Sequence, residues 1–179
     1  MAEEKKEKWT TYMAITTILI AVAATLSTFK GGGFSTQSLL NQTKASDQWA
    51  FFQSKSIKSY IYDMRVENLE LQTELLEKQK GNEAIVEKYK QKIEEYKHKV
   101  KKYEEEKDAI KKEAEGYQAS RDENKKHSGA FGIAVIFLQV SIVLSSIATL
   151  SKKRFVWICS MVVGSIGVLY FINGFFLFI

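Results

Sequence analysis

The side chains able to do chemistry are few and scattered. The sequence holds two histidines, His98 and His127, and one cysteine, Cys159. A metal centre needs several convergent ligands, so these three, far apart in the chain, predict no metal site, and both histidines read as facing solvent. A single thiol excludes an intramolecular disulfide. Gly31-Gly32-Gly33 lacks the Gly-Lys-Ser/Thr that completes a phosphate loop and reads as a flexible joint. Asn41-Gln42-Thr43 matches a glycosylation acceptor, which matters only in a eukaryotic secretory compartment. The many carboxylates recur at helical spacing beside lysines, a pattern that pairs charges on a solvated face rather than moving protons. No paired acids, nucleophile elbow or nucleophile–base arrangement stands out, so the chain reads as a non-enzyme without a cofactor. Recognition chemistry is what remains. Asp47, Gln48, Trp49, Phe51, Phe52 and Lys55 interleave aromatic and polar groups, and Gln139 and Asn173 are the only amides inside long apolar runs.

Those runs define the elements that hold them. Crossing about 30 Å of hydrocarbon takes roughly 20 apolar residues in a helix. Residues 9–29, 130–150 and 155–179 meet that length without a charged side chain, and in lipid a helix is the form that satisfies its own backbone. Trp9, Tyr12 and Trp157 lie where amphipathic rings favour the headgroups. The first run follows Lys5, Lys6 and Lys8 in a charged stretch, residues 1–8, and Ala21-Val22-Ala23 resembles a cleavage site. It is nevertheless expected to stay as an anchor. A basic loop, residues 151–154 (Ser-Lys-Lys-Arg), joins the last two runs as a membrane hairpin. By the positive-inside rule this loop and the N-terminus are cytoplasmic, and the stretch between the first two spans is outside. Lys111, Lys112, Arg121, Lys125 and Lys126 argue the other way, but long loops count little in that rule. Gly129, Gly132, Gly164 and Gly167 offer close helix approach, while Gln139 and Asn173 pair between helices or face a water-filled path.

Between the spans the pattern becomes a heptad. Val86, Tyr89, Ile93, Tyr96, Val100, Tyr103, Ile110, Ala114 and Tyr117 alternate three- and four-residue steps, with Lys107 the one polar interruption, and this marks a coiled-coil seam. Ile57, Ile61, Met64, Asn68, Leu71 and Leu75 follow the same alternation, out of step with the first by a stutter at Leu75 and Gln79. Gly81-Asn82 supplies a helix stop and a new N-cap. An upright single helix from Ser46 to Tyr117 would travel roughly 100 Å from the membrane at 1.5 Å per residue. The dozen residues left could retrace only about 40 Å. The expected architecture is therefore an all-α membrane protein. Three transmembrane helices flank a long antiparallel coiled-coil hairpin placed between the first and second. A Gly-rich joint and connector (30–45) leads to arm 1 (46–80), a turn (81–82), arm 2 (83–120) and a connector (121–129).

The segment Lys44-Ala45-Ser46-Asp47-Gln48-Trp49-Ala50-Phe51-Phe52-Gln53-Ser54-Lys55-Ser56-Ile57-Lys58 resembles the signature of a bacterial membrane family catalogued as a domain of unknown function. The likeness in layout covers nearly the whole chain: one span, a KASDQWA-type motif, a Lys/Glu-rich helical stretch and two closing spans. It implies the architecture and a bacterial origin, and it brings no activity. Read physically, Ser46 or Asp47 can cap arm 1. The aromatics beside them suit either the headgroup region or a subunit contact, with subunit contact the better fit.

The net charge of +5, from 26 Lys and Arg against 21 Asp and Glu, is spread without a basic cluster and excludes a nucleic-acid footprint. The expected partners are the lipid bilayer, further copies of the chain, and a protein bound through the hairpin. The function expected is a self-associating scaffold or assembly protein of the bacterial inner membrane. The alternative is a subunit of an oligomeric channel or transporter.

Overall fold

The computed structural model describes residues 2–78 and 81–178, with side chains from Trp9 onward. The side chains of Lys5, Lys6 and Lys8, and residues Gln79 and Ile179, lie outside the described residues. Among those described, the chain forms three long helices and no strand: α1 (Ala2–Glu77), α2 (Glu83–Ser151) and α3 (Arg154–Phe176). All three are long and apolar enough to cross a membrane, by length and composition.

The breaks are set locally. Gly81 holds a left-handed φ of 97°, a conformation glycine reaches without a Cβ penalty. The next carbonyl, of Asn82, accepts from the N–H groups of Ile85 and Val86, both at 3.0 Å, and starts α2. Between α2 and α3 the left-handed residue is Lys152 (φ 53°), followed by extended Lys153. Leu177, also left-handed, closes α3 by donating its N–H to the Asn173 carbonyl at 2.8 Å.

The expected joints at residues 30–45 and 121–129 are helical instead. The glycine run sits inside α1, and Ser46 and Asp47 lie mid-helix with no helix start to cap. Packing explains the glycines. A Cβ on Gly31 would stand 2.9 Å from Phe131 Cβ of α2, and Ser128 donates to the Gly31 carbonyl at 3.1 Å. Ser38 likewise donates to the Arg121 carbonyl at 3.1 Å. These cross-helix contacts replace the local preference for a flexible joint.

The chain divides into two compact units, one made of Met1–Leu40 with Ser120–Ile179 and the other of Asn41–Ala119. The first contains the apolar runs. Its core gathers Ile20 and Ala24 of α1 with Ala134 and Leu138 of α2, flanked by Met161, Tyr170 and Phe171 of α3. The buried face of α3 is Ser160, Gly164, Gly167, Asn173 and Gly174, mostly small residues. On α2 the buried positions Phe131, Ala134, Leu138, Ser141, Ser145 and Ala148 step by three and four. That spacing keeps one stripe of a helix facing its neighbours, as in left-handed helix packing. Gly129 and Gly132, expected at a helix contact, meet no side chain there.

In the second unit α1 and α2 touch in opposite chain sense: Lys55 with Glu106, Ser59 with Glu104, Glu70 with Lys97, Glu77 with Lys90. Val86, Tyr89, Ile93, Tyr96, Val100, Tyr103, Ile110 and Tyr117 all lie on the buried or half-buried face of α2. The facing stripe of α1 differs from the expected one. Its covered residues are Asn41, Ala45, Gln48, Phe52, Lys55, Ser59, Tyr62, Val66, Leu69, Thr73 and Leu76, in an unbroken four–three alternation. Ile57, Ile61, Met64, Leu71 and Leu75 are exposed. Tyr62 of the covered stripe meets the rings of Tyr96 and Tyr103, with ring centres 5.3 and 5.9 Å away, and Ser59 donates to Glu104 at 2.7 Å. The face is thus set by these cross-helix partners as well as by its apolar members Phe52, Val66, Leu69 and Leu76.

Candidate functional site

Two constellations could carry function. One lies in the second unit, around the segment singled out in the sequence. Because that segment is helical, its residues divide by face. Asp47 and Phe51 are exposed, while Gln48, Trp49, Phe52 and Lys55 are half-buried. Trp49 meets Phe52 edge-on, ring centres 5.5 Å apart. The Lys55 ammonium pairs with the Glu106 carboxylate at 2.5 Å and lies over the rings of Phe51 and Tyr103, at 5.5 and 5.3 Å. Lys107, the polar interruption of the α2 stripe, lies 5.4 Å over Phe52 and pairs with Glu104 at 2.8 Å. A cation above an aromatic face is held by the ring quadrupole. Both lysines are thus tied to rings and acids of the same unit.

The carboxylates respond to these partners. The Lys55 hydrogen bond, supported by the charges of Lys102 and Lys58, holds Glu106 below the usual carboxylate range against the opposing effect of burial. Glu104 is lowered by hydrogen bonds first from Lys107 and then from Ser59. Glu95, bonded by Lys99 and Lys92, falls to about 2. Lys97 and Lys90 are raised, chiefly by hydrogen bonds to Glu70 and Glu77 respectively. These shifts favour the charged form of all five groups.

The other constellation is polar and lies inside the apolar unit. Ser141, Ser145 and Ser160 are fully buried. Ser141 donates to the Ser160 carbonyl at 2.8 Å, and Ser160 returns the bond to the Ser141 carbonyl at 2.9 Å. Ser145 and Ser160 share a bond at 2.8 Å. Once Ser145 is the donor, every hydroxyl proton has an acceptor. No base or acid stands beside these hydroxyls in the set, so they tie α2 to α3. Sequence reasoning missed them. The only available signal was serine recurring at 141 and 145, one turn apart on a helix.

The two amides of the apolar runs separate. Asn173 is buried in the unit, whereas Gln139 is exposed on its surface. His127, expected in solvent, is half-buried: its Nδ1 is 2.8 Å from the Gly174 carbonyl, and its ring stacks on Phe34 at 4.6 Å. It joins α1, α2 and α3 at one level, where Phe131 meets Phe34, Phe171 and Phe175. A groove of about 670 Å³ runs beside Gly32, Gly33, Thr36, Gln37 and Asn124 and brings no set of converging charges together. Cys159 is half-buried on α3. Among the described residues no three of His, Cys, Asp and Glu could hold a metal ion.

No curated protein and no solved structure matches this chain. Residues 9–177 match a family described as a domain of unknown function, DUF4337. That match takes in the apolar helices, the aromatic segment and the charged stretch alike, and the chain belongs to this family.

Proposed function

We propose that the chain is a multi-pass protein of the bacterial inner membrane that self-associates, through its spans and through an antiparallel coiled-coil hairpin, as a scaffold or assembly component. One observation carries the reading: large apolar side chains are exposed in both units, in two different settings. In the first unit they include Leu19, Val22, Ile136, Val143, Phe155 and Leu169, on the uncharged stretches 9–29, 130–150 and 155–179, where lipid tails cover them. In the second they include Ile61, Met64, Leu71 and Leu75. That unit is rich in lysine and glutamate, and charge at that density excludes the hydrocarbon core. Protein is then the cover that remains for its apolar stripe. The three N-terminal lysines and Lys152, Lys153 and Arg154 support a cytoplasmic N-terminus and α2–α3 turn, with the hairpin periplasmic.

The native mass of the particle extracted gently with its lipids tests this. A defined multiple of 20.5 kDa is expected, and a monomer would overturn self-association. A channel or transporter subunit is the second reading, favoured by Gln139, an amide exposed within an apolar run. Conductance across reconstituted bilayers that Gln139→Leu abolishes would move the case to it.

A further inference from the structure

We infer that residues 57–75 of α1 form the contact between two copies of this chain, paired as a parallel, in-register coiled coil. The inference rests on the proposed self-association and names its surface and geometry. The stripe is Ile57, Ile61, Met64, Asn68, Leu71 and Leu75, and its steps of 4, 3, 4, 3 and 4 follow the a/d alternation of a heptad. Met64 is 62 % exposed and Leu75 64 %. The opposite face of the same helix already packs on α2, through Ser59, Tyr62, Val66 and Thr73. A helix with one covered seam and a second, more apolar, uncovered one is built to pack on two sides.

The phase of the repeat selects the occupant. A four-residue step runs from d to a, so Ile61, Asn68 and Leu75 take a positions and Ile57, Met64 and Leu71 take d. A single asparagine at an a position among apolar layers fixes register and subunit number, because an amide can donate to and accept from an identical amide at the same level. Asn68 already turns its amide to the Met64 carbonyl of its own helix at 2.8 Å and carries a second N–H and an acceptor oxygen. The best match for an Asn layer is the Asn layer of another copy. Ile61 at a with Leu71 at d favours two strands, Leu75 at a and Ile57 at d pull towards more, and the Asn68 layer is what sets the number at two.

Charge selects the direction. The flanking e positions are Lys58, Arg65 and Gln72, and the g positions are Tyr60, Glu67 and Glu74. In a parallel pair each g meets the e five residues on in the partner copy, so Tyr60 meets Arg65 and Glu67 meets Gln72, with no like charges opposed. Antiparallel pairing sets e against e and g against g, opposing cations to cations and Glu to Glu.

Cysteine scanning in membranes tests this. In a Cys159→Ser background, single cysteines replace each residue from 57 to 75, and disulfide-linked dimer is measured after mild oxidation. Same-residue pairs are close all along a parallel in-register seam, so maxima are expected at 57, 61, 64, 68, 71 and 75, several-fold above 59, 66 and 73. An antiparallel pair would give one maximum, at its crossing point, and would overturn the orientation. Maxima at 59, 62 and 66, or no periodicity, would overturn the surface. Leu71→Glu, on an exposed position, is expected to lower the dimer yield about tenfold or more. The native mass of the same preparation separates the two ideas: a multimer without this periodicity removes only this interface, and a monomer removes self-association as well.

Discussion

Replacing Gly167 by alanine adds one methyl group to the face of α3 that meets α2. Its carbon would stand 2.7 Å from Leu138 Cγ, 2.9 Å from Cδ2 and 3.0 Å from the Leu138 backbone nitrogen. Carbon atoms rest about 3.5–4.0 Å apart, so the overlap approaches an ångström. Leu138 is fully buried and the backbone nitrogen has no rotamer to change, so the helices themselves must separate. Overpacking of this kind costs about 1–3 kcal/mol. The better helix propensity of alanine returns about 0.8–1 kcal/mol. The expected net loss is up to about 2 kcal/mol, a factor of up to roughly 30 in the folded ratio. Gly132→Ala is the control, because nothing lies within 4 Å of its added carbon, and the same propensity argument gives a gain of up to about 1 kcal/mol. Unfolding in mixed micelles by increasing SDS, followed by tryptophan emission, measures both. Trp9 and Trp157 report from this unit, their ring centres 6.3 Å apart. The reasoning is refuted if Gly167→Ala is as stable as Gly132→Ala.

Ser160→Ala removes the hydroxyl that donates to the Ser141 carbonyl and that Ser145 bonds, leaving Ser141 its bond to the carbonyl of residue 160. It should cost about 0.6–1.7 kcal/mol, the range for interhelical hydrogen bonds in membranes; the same SDS titration reads it. Gly32 and Gly33 are helical and meet nothing within 4 Å, so Gly32→Ala with Gly33→Ala should raise stability by about 0.5–1 kcal/mol each. A loss from that pair would restore the flexible joint. Glu104 and Glu106, and Glu95 at about 2, have folded values below the unfolded value of about 4.3. Their stabilisation is complete above that value and is lost as pH falls through the lower folded ones. Lys90 and Lys97, raised in the folded chain, contribute fully below about 10.4 and lose that contribution as pH rises through their folded values. Trp49 emission, in a variant with Trp9→Phe and Trp157→Phe, should therefore change below about pH 4.3 and above about 10.4. Emission unchanged through both ranges would contradict this assignment.

The apolar runs were legible because composition alone separates them from the charged middle. The α2 stripe was legible too, since Val86 to Tyr117 repeats without ambiguity and one face of a helix must be covered. The matching face of α1 was not. Hydrophobic periodicity selects Ile57, Ile61 and Met64, yet the face that meets α2 runs through Asn41, Ala45, Ser59 and Thr73. Polar residues such as Ser59 become part of a packing surface only once a cross-helix partner such as Glu104 is known. The glycine run was misread for a similar reason. Propensity describes Gly31 in isolation, and its closeness to Phe131 belongs to another part of the chain. His127 depends on Gly174 and Phe34, neither of them near it in sequence. Asn173 and Gln139 were visible as exceptions in apolar runs, and only three-dimensional packing distinguishes the buried one from the exposed one.

The buried face of α3 inverts the usual relation between hydrophobicity and constraint. Its interior positions are Ser160, Gly164, Gly167, Asn173 and Gly174, while Phe155, Val162, Leu169 and Phe176 point outward. Over evolutionary time the bulky residues should therefore interchange freely among leucine, valine, isoleucine and phenylalanine, since lipid accepts them all. The glycines and serines should drift least. Hydropathy, the property that first reveals α3, resides in its most replaceable letters, and its identity is written in residues that a hydropathy scan treats as interruptions.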